Sequence, residues 1–126
     1  MRISLVIDST DPEALTPFWT AALRYRVIGE LPHFVVLGPD EGEPRGPVVI
    51  LQRVPEPAVG KNRLHIDLHP KDVLAHVALL EGLGARRVGP PTTDLVASAG
   101  IWWQVMVAPD GTTFCVVADD GQSPPS

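Results

Sequence analysis

The sequence predicts an α+β fold of two tandem βαβββ modules, and three observations point to it. Each half reads as a strand, a helix and three short strands. A set of residues recurs at one offset, and the proline-bearing stretch "VPEPAVGK" separates the halves. At 126 residues the chain is long enough for one compact domain and short for two independent ones. The expected organisation is therefore a single domain: module one at 1–54, a linker at 55–61, module two at 62–118 and a frayed tail, "ADDGQSPPS", over 119–126.

The first strand is the β-branched run "RISLVIDSTD", which ends in turn formers. In "DPEALTPFWTAALRY", Leu15, Phe18, Trp19, Ala22 and Leu23 fall on one helical stripe, which assigns Trp19 to the core. Asp11 before Pro12 is a good cap and first-turn pair, yet it leaves Pro17 inside the helix, where proline costs roughly 3 kcal/mol. The alternative is a helix that starts at Pro17 with Thr16 as its cap. Strands follow at "YRVIG", "HFVVLG" and "PVVILQRV", the last two joined by the loop "PDEGEPRG".

Module two opens with "NRLHIDLHPKD" as its strand and "VLAHVALLEGLG" as its helix, with Gly84 placed to end it. "ARRVG", "GIWWQVMVAPDG" and "TTFCVVAD" supply its remaining strands. An offset of 61 aligns Ser4 with His65, Asp11 with Asp72 and Ala14 with Ala75; one residue fewer aligns Leu23 with Leu83 and Gly29 with Gly89. "LGPDEG" also sits against "VAPDG".

Composition removes several classes of function. A net charge of −5 without a basic run offers no footprint for phosphate backbones, so no nucleic-acid partner is expected. No segment approaches the ~20 apolar residues of a membrane span, and the start reaches Asp8 too soon for a signal peptide. With a single cysteine, Cys115, that has no intrachain partner, the expected location is cytoplasmic. Neither a Walker loop, a G-x-G-x-x-G nor a G-x-S-x-G is present, which leaves nucleotide binding and nucleophilic catalysis without support.

Ionisable residues concentrate in "GKNRLHIDLHPKD", residues 60–72. In a strand, Arg63, His65, Asp67 and His69 share one face, and Leu64, Ile66 and Leu68 share the other as core. Positions four apart in a strand are about 13 Å apart, so His65 and His69 do not meet on one ion. His69 is expected in solvent at the strand end, and His33 and His76 are expected exposed. In "GIWWQVMV", Trp103, Val105 and Val107 form one row and Trp102, Gln104 and Met106 the other, with parity alone not deciding which is core.

"DPEALTPFWTAALRY", "LQRVPEP", "GKNRLHIDL", "LGA" and "PDGTTFCVV", in this order, make the chain resemble the glyoxalase-like proteins of the vicinal oxygen chelate superfamily. That superfamily includes glyoxalase I, extradiol dioxygenases, fosfomycin-modifying enzymes and bleomycin-binding proteins. The resemblance implies paired βαβββ modules whose sheets curl around a shared cavity. In the enzymes that cavity holds one divalent metal, with a ligand on the first and last strand of each module. The matching positions here are Ser4, His65, Gln52 and Cys115, of which His65 alone is of the common ligand type. Hydroxyl and amide oxygens are weak neutral donors beside imidazole and carboxylate.

The function expected from this pattern is small-molecule binding of the bleomycin-resistance type without the usual metal. Ser4, Gln52, Arg63, His65, Asp67, Trp103 and Cys115 are the candidate binding residues. No cofactor is expected; the alternative is a divalent metal on His65 with Gln52. Whether a reaction is catalysed is left open. The rival reading is a lyase, isomerase or dioxygenase-like enzyme with His65 as acid/base, oriented by Asp67, or as metal ligand. The resemblance also implies a homodimer, whose modules pair within one chain or across two.

Overall fold

Asp11 and Asp72 start the two longer helices in the same way. The Asp11 side chain accepts the Ala14 N–H at 3.3 Å and that of Asp72 accepts the Ala75 N–H at 3.0 Å. The identities at offset 61 are thus two copies of one N-cap. The computed structural model describes residues 3–60, 62 and 64–126, and the chain divides into two compact units at 59/60, inside the expected linker.

Unit one consists of β1 (Ser4–Ser9), α1 (Pro12–Leu23), β2 (Tyr25–Leu31), β3 (Phe34–Pro39) and β4 (Val48–Arg53). Its four strands form one open sheet in the order β1-β4-β3-β2, with β1 parallel to β4 and the other pairs antiparallel. Ile7, Leu51, Val35, Val49 and Leu37 are buried on one face, as are Leu15, Phe18, Trp19 and Ala22 along α1. Trp19 is core as expected. Of the two helix starts, Asp11 with Pro12 is the one formed, so Pro17 lies inside α1. Thr16 does not cap: its hydroxyl donates to the Pro12 carbonyl at 2.9 Å, and Thr20 donates to the Thr16 carbonyl at 2.8 Å. Arg53 ties the end of β4 to the start of α1, donating to the Thr10 carbonyl at 3.0 Å and pairing with Glu13.

Unit two consists of β5 (Asp67–Leu68), α2 (Val73–Gly82), β6 (Arg86–Arg87), α3 (Val96–Ala99), β7 (Trp102–Val107) and β8 (Thr113–Ala118). Its sheet order, β5-β8-β7-β6, repeats the first unit's topology with β5 parallel to β8. The helix α2 ends in a Schellman arrangement: Ala85 N–H bonds the Leu80 carbonyl at 3.0 Å and Gly84 N–H the Glu81 carbonyl at 3.1 Å. Gly84 sits at φ +99, as the turn requires. One sheet face carries Phe114, Val116, Ala118, Trp102, Gln104 and Met106, all at most 2% exposed. That settles the tryptophan parity: the row containing Trp102 is core, and Trp103, Val105 and Val107 are half-exposed. The opposite face of this sheet also carries Cys115 and Val117, both 8% exposed.

Several expectations are corrected here. The strand expected over "NRLHIDLHPKD" pairs only at Asp67 and Leu68, and Leu64, ahead of the pairing, is 86% exposed instead of core. Ile66 is half-buried and Leu68 buried. His76, expected exposed, is buried with Val73, Val77 and Leu80 because spacings of three and four place it on the same helical stripe. The tail is not frayed at Gln122. Its side chain accepts the Val73 N–H at 2.7 Å and donates to the Pro70 carbonyl at 3.0 Å, while its carbonyl accepts the Trp102 indole N–H at 2.8 Å. Among the described residues no helix is long and apolar enough to cross a membrane.

Candidate functional site

The opposite face of the second sheet is built by strand register. Asp67 pairs with Cys115, and Cys115 with Val105, so one rung crosses β5, β8 and β7. The next rung pairs Val117 with Trp103. Paired residues point to the same side, so this face presents Trp103, Val105 and Val117 as an apolar wall with Cys115 and Asp67 at its β5 edge.

His65 joins them. Two residues before Asp67, it places Nδ1 at 2.8 Å from Asp67 Oδ1, with both side chains about half-exposed. Cys115, 8% exposed, completes a trio whose imidazole, carboxylate and thiol atoms all lie within 4.8 Å of one another. Burial, with the charge of Asp67 second, raises the Cys115 thiol pKa above its usual value. The thiol is thus protonated at neutral pH. Chemically the set offers a hydrogen-bonded imidazole, an acceptor carboxylate and a soft sulfur.

The first sheet's open face carries Ser4, Val6 and Asp8 on β1 beside Val48, Ile50 and Gln52 on β4. Ser4 pairs with Val48, whereas Gln52 pairs with Asp8. Ser4 and Gln52 are therefore four rungs, about 13 Å, apart, and do not meet on one ion. Counted from the caps at Asp11 and Asp72, Cys115 stands where Ile50 stands in unit one, and Gln52 where Val117 stands in unit two. The four-position metal set implied by the resemblance does not fit unit one, in donor type or in register. Arg63 lies outside the described residues.

Asp8, beside Gln52, was not among the expected site residues, although it shares strand parity with Ser4. His33 is exposed, at φ +70, and lines a shallow depression with Thr10, Arg53, Val54 and Pro55 that contains no expected site residue. His69 Nδ1 lies 3.1 Å from Asp119 Oδ2, at the surface where it was expected.

A family model described as a glyoxalase-like domain matches residues 4–117. No curated protein matches the chain. Among solved structures, the fold is similar to that of a glyoxalase/bleomycin resistance protein/dioxygenase family enzyme from Burkholderia phytofirmans PsJN, with a TM-score of 0.72 at 15% identity, covering 92% of this chain and 96% of that one. It is also similar to a glyoxalase/bleomycin resistance protein/dioxygenase from Nocardioides, with a TM-score of 0.70 at 16% identity, covering 100% of this chain and 87% of that one. A bleomycin resistance determinant encoded on the transposon Tn5 matches with a TM-score of 0.67 at 12% identity, over 95% of this chain and 98% of that one.

Proposed function

The chain belongs to the glyoxalase-like family, and we propose that it is a small-molecule-binding protein of the bleomycin-resistance type that works without the superfamily's four-ligand metal. The observation that carries this reading is the second sheet's face opposite the Trp102 row: half-buried Trp103 and Val105 and buried Val117 form an apolar wall that ends in the polar atoms of half-exposed His65 and Asp67 and of buried Cys115. Apolar surface supplies affinity and a few placed polar groups supply orientation, which is the usual composition of a ligand site. The failure of Ser4 and Gln52 to meet supports the metal-free part of the proposal.

Native mass spectrometry of tag-free protein tests it directly. A bound organic molecule is the expected result, and His65→Ala should weaken its rebinding while the melting temperature stays the same. An unchanged titration curve for His65→Ala removes His65 from the site. The Nδ1 to Oδ1 contact of 2.8 Å favours one second reading, an enzyme in which Asp67 orients His65 as acid/base. Turnover of the copurified molecule, lost in His65→Ala, would establish it. The proposal includes a cytoplasmic homodimer, and sedimentation equilibrium at the 13.6 kDa of a single chain would count against the dimer.

A further inference from the structure

β5 carries Asp67 yet pairs with β8 over two residues, and side chains on either side of that short ladder add to its hold. Ahead of it, Asn62 Nδ2 donates to the Thr113 carbonyl at 3.0 Å, where β8 begins. Behind it, the chain leaving β8 folds back over the β5–α2 connection. His69 Nδ1 lies 3.1 Å from Asp119 Oδ2, and Gln122 Nε2 donates to the Pro70 carbonyl at 3.0 Å and to Asp120 Oδ1 at 2.7 Å. Gln122 Oε1 accepts the Val73 N–H at 2.7 Å, and the Gln122 carbonyl accepts the Trp102 indole N–H at 2.8 Å. Because Trp102 is 1% exposed, that last bond anchors the segment to the core. Two acceptors face the amide nitrogen and one donor faces its oxygen, so a side-chain amide is the group that this position requires. Capping α2 needs only the oxygen. The nitrogen, aimed at a carbonyl two residues past β5, does something else: it ties the end of that strand down.

We propose that residues 119–122 form a strap that keeps β5 docked on β8, with Gln122 as a positioning residue for the binding face, an inference that rests on the function proposed above. With the strap engaged, Asp67 stays opposite Cys115 and the His65–Asp67 pair stays beside the sulfur. With it released, β5 is left with its two ladder residues and, as an edge strand, swings away without disturbing the pairing of β8 with β7. Asp67 then leaves the face and Cys115 is uncovered. The exposed His69–Asp119 pair is the minor fastening, as surface ion pairs are, and the three Gln122 contacts to Pro70, Val73 and Trp102 are the major one.

Cys115 is the chain's single cysteine, so its rate of modification by 4,4′-dithiodipyridine in the full-length protein reads the opening of β5 directly. Burial keeps the thiol protonated and slow to react, and uncovering it speeds the reaction. Gln122→Ala should raise the rate on the order of 10-fold, the loss of a cap-sized interaction read as an opening equilibrium. That rate should stay flat in low denaturant, because a local opening exposes little surface. Gly84→Ala, which loosens the far end of α2 without touching the strap, should leave the rate within about twofold of the parent. Gln122→Glu combined with Asp120→Asn keeps an acceptor for the Val73 N–H, removes the donor to Pro70 and avoids facing carboxylates. Measured against Asp120→Asn alone, it should also accelerate modification, and it carries the test should Gln122→Ala fail to fold. A parental rate in this conservative variant returns Gln122 to a plain helix cap and overturns the strap, as does equal acceleration by Gly84→Ala. Modification of Cys115 needs no bound molecule, so failure here is distinguishable from failure of the binding reading, which native mass spectrometry decides.

Discussion

Tyr25 shows how one residue can report on its unit. Its hydroxyl donates to the Pro47 carbonyl at 2.8 Å, and burial pushes its pKa above the phenol value of 10.0. Because the folded value is the higher one, the neutral phenol is favoured in the fold. That stability is complete below about pH 10 and is lost as pH rises through the folded pKa. Tyr25→Phe should therefore flatten the alkaline limb of a stability-versus-pH curve, at a cost near neutrality of roughly 0.5 to 1.5 kcal/mol for the lost bond. A Cβ at Gly46 would come within 2.7 Å of that hydroxyl, so Gly46→Ala should displace it and mimic Tyr25→Phe. Leu64 and Phe114 make the opposite pair. Leu64→Ala should change stability by less than about 0.5 kcal/mol, and Phe114→Ala, fully buried, should cost about 3 to 5, both read by denaturant unfolding. Strand parity made the shared side of His65 and Asp67 legible in the sequence. It could not reveal that Cys115 is the residue across from Asp67, because register between distant strands is set by the folded ladder.

At the scale of elements, the helices were the more legible. Asp72 is a cap by residue type, Asp11 is one of two candidate starts because Pro17 lies inside the helix it opens, and Gly84 marks a helix end because few other residues accept its backbone. Gly84→Ala should cost more than about 1 kcal/mol, since it adds a Cβ at positive φ and 3.2 Å from the Pro109 ring. Strand lengths were less legible: the apolar alternation of "RLHIDL" continues past the residues that pair, and Leu64 is left in solvent. Gln122 escaped notice because a lone glutamine among turn formers carries no local signal, yet it acts as a second cap on α2 by accepting the Val73 N–H. Gln122→Ala should lower stability by about 0.5 to 2 kcal/mol, measured by thermal unfolding, as removal of an N-cap does.

On the scale of the whole chain, the repeated sheet order means that each unit joins its first strand to its last. Ser4 must find Val48 across a helix and two strands, and Asp67 must find Cys115 across two helices and two strands. Such pairings are high in contact order and belong late on a folding pathway, after neighbouring antiparallel strands have met. In the second unit the late strand is also short, with two paired residues. The candidate site therefore stands on an edge of its sheet with few bonds to break. Amide hydrogen exchange should find the β5 backbone opening far more often than β7 or β8, which are held by six paired residues. A small molecule bound across His65, Asp67 and Cys115 would fasten that strand to its neighbour, and slowed exchange at Asp67 and Leu68 would record occupancy even where the bound species itself is invisible.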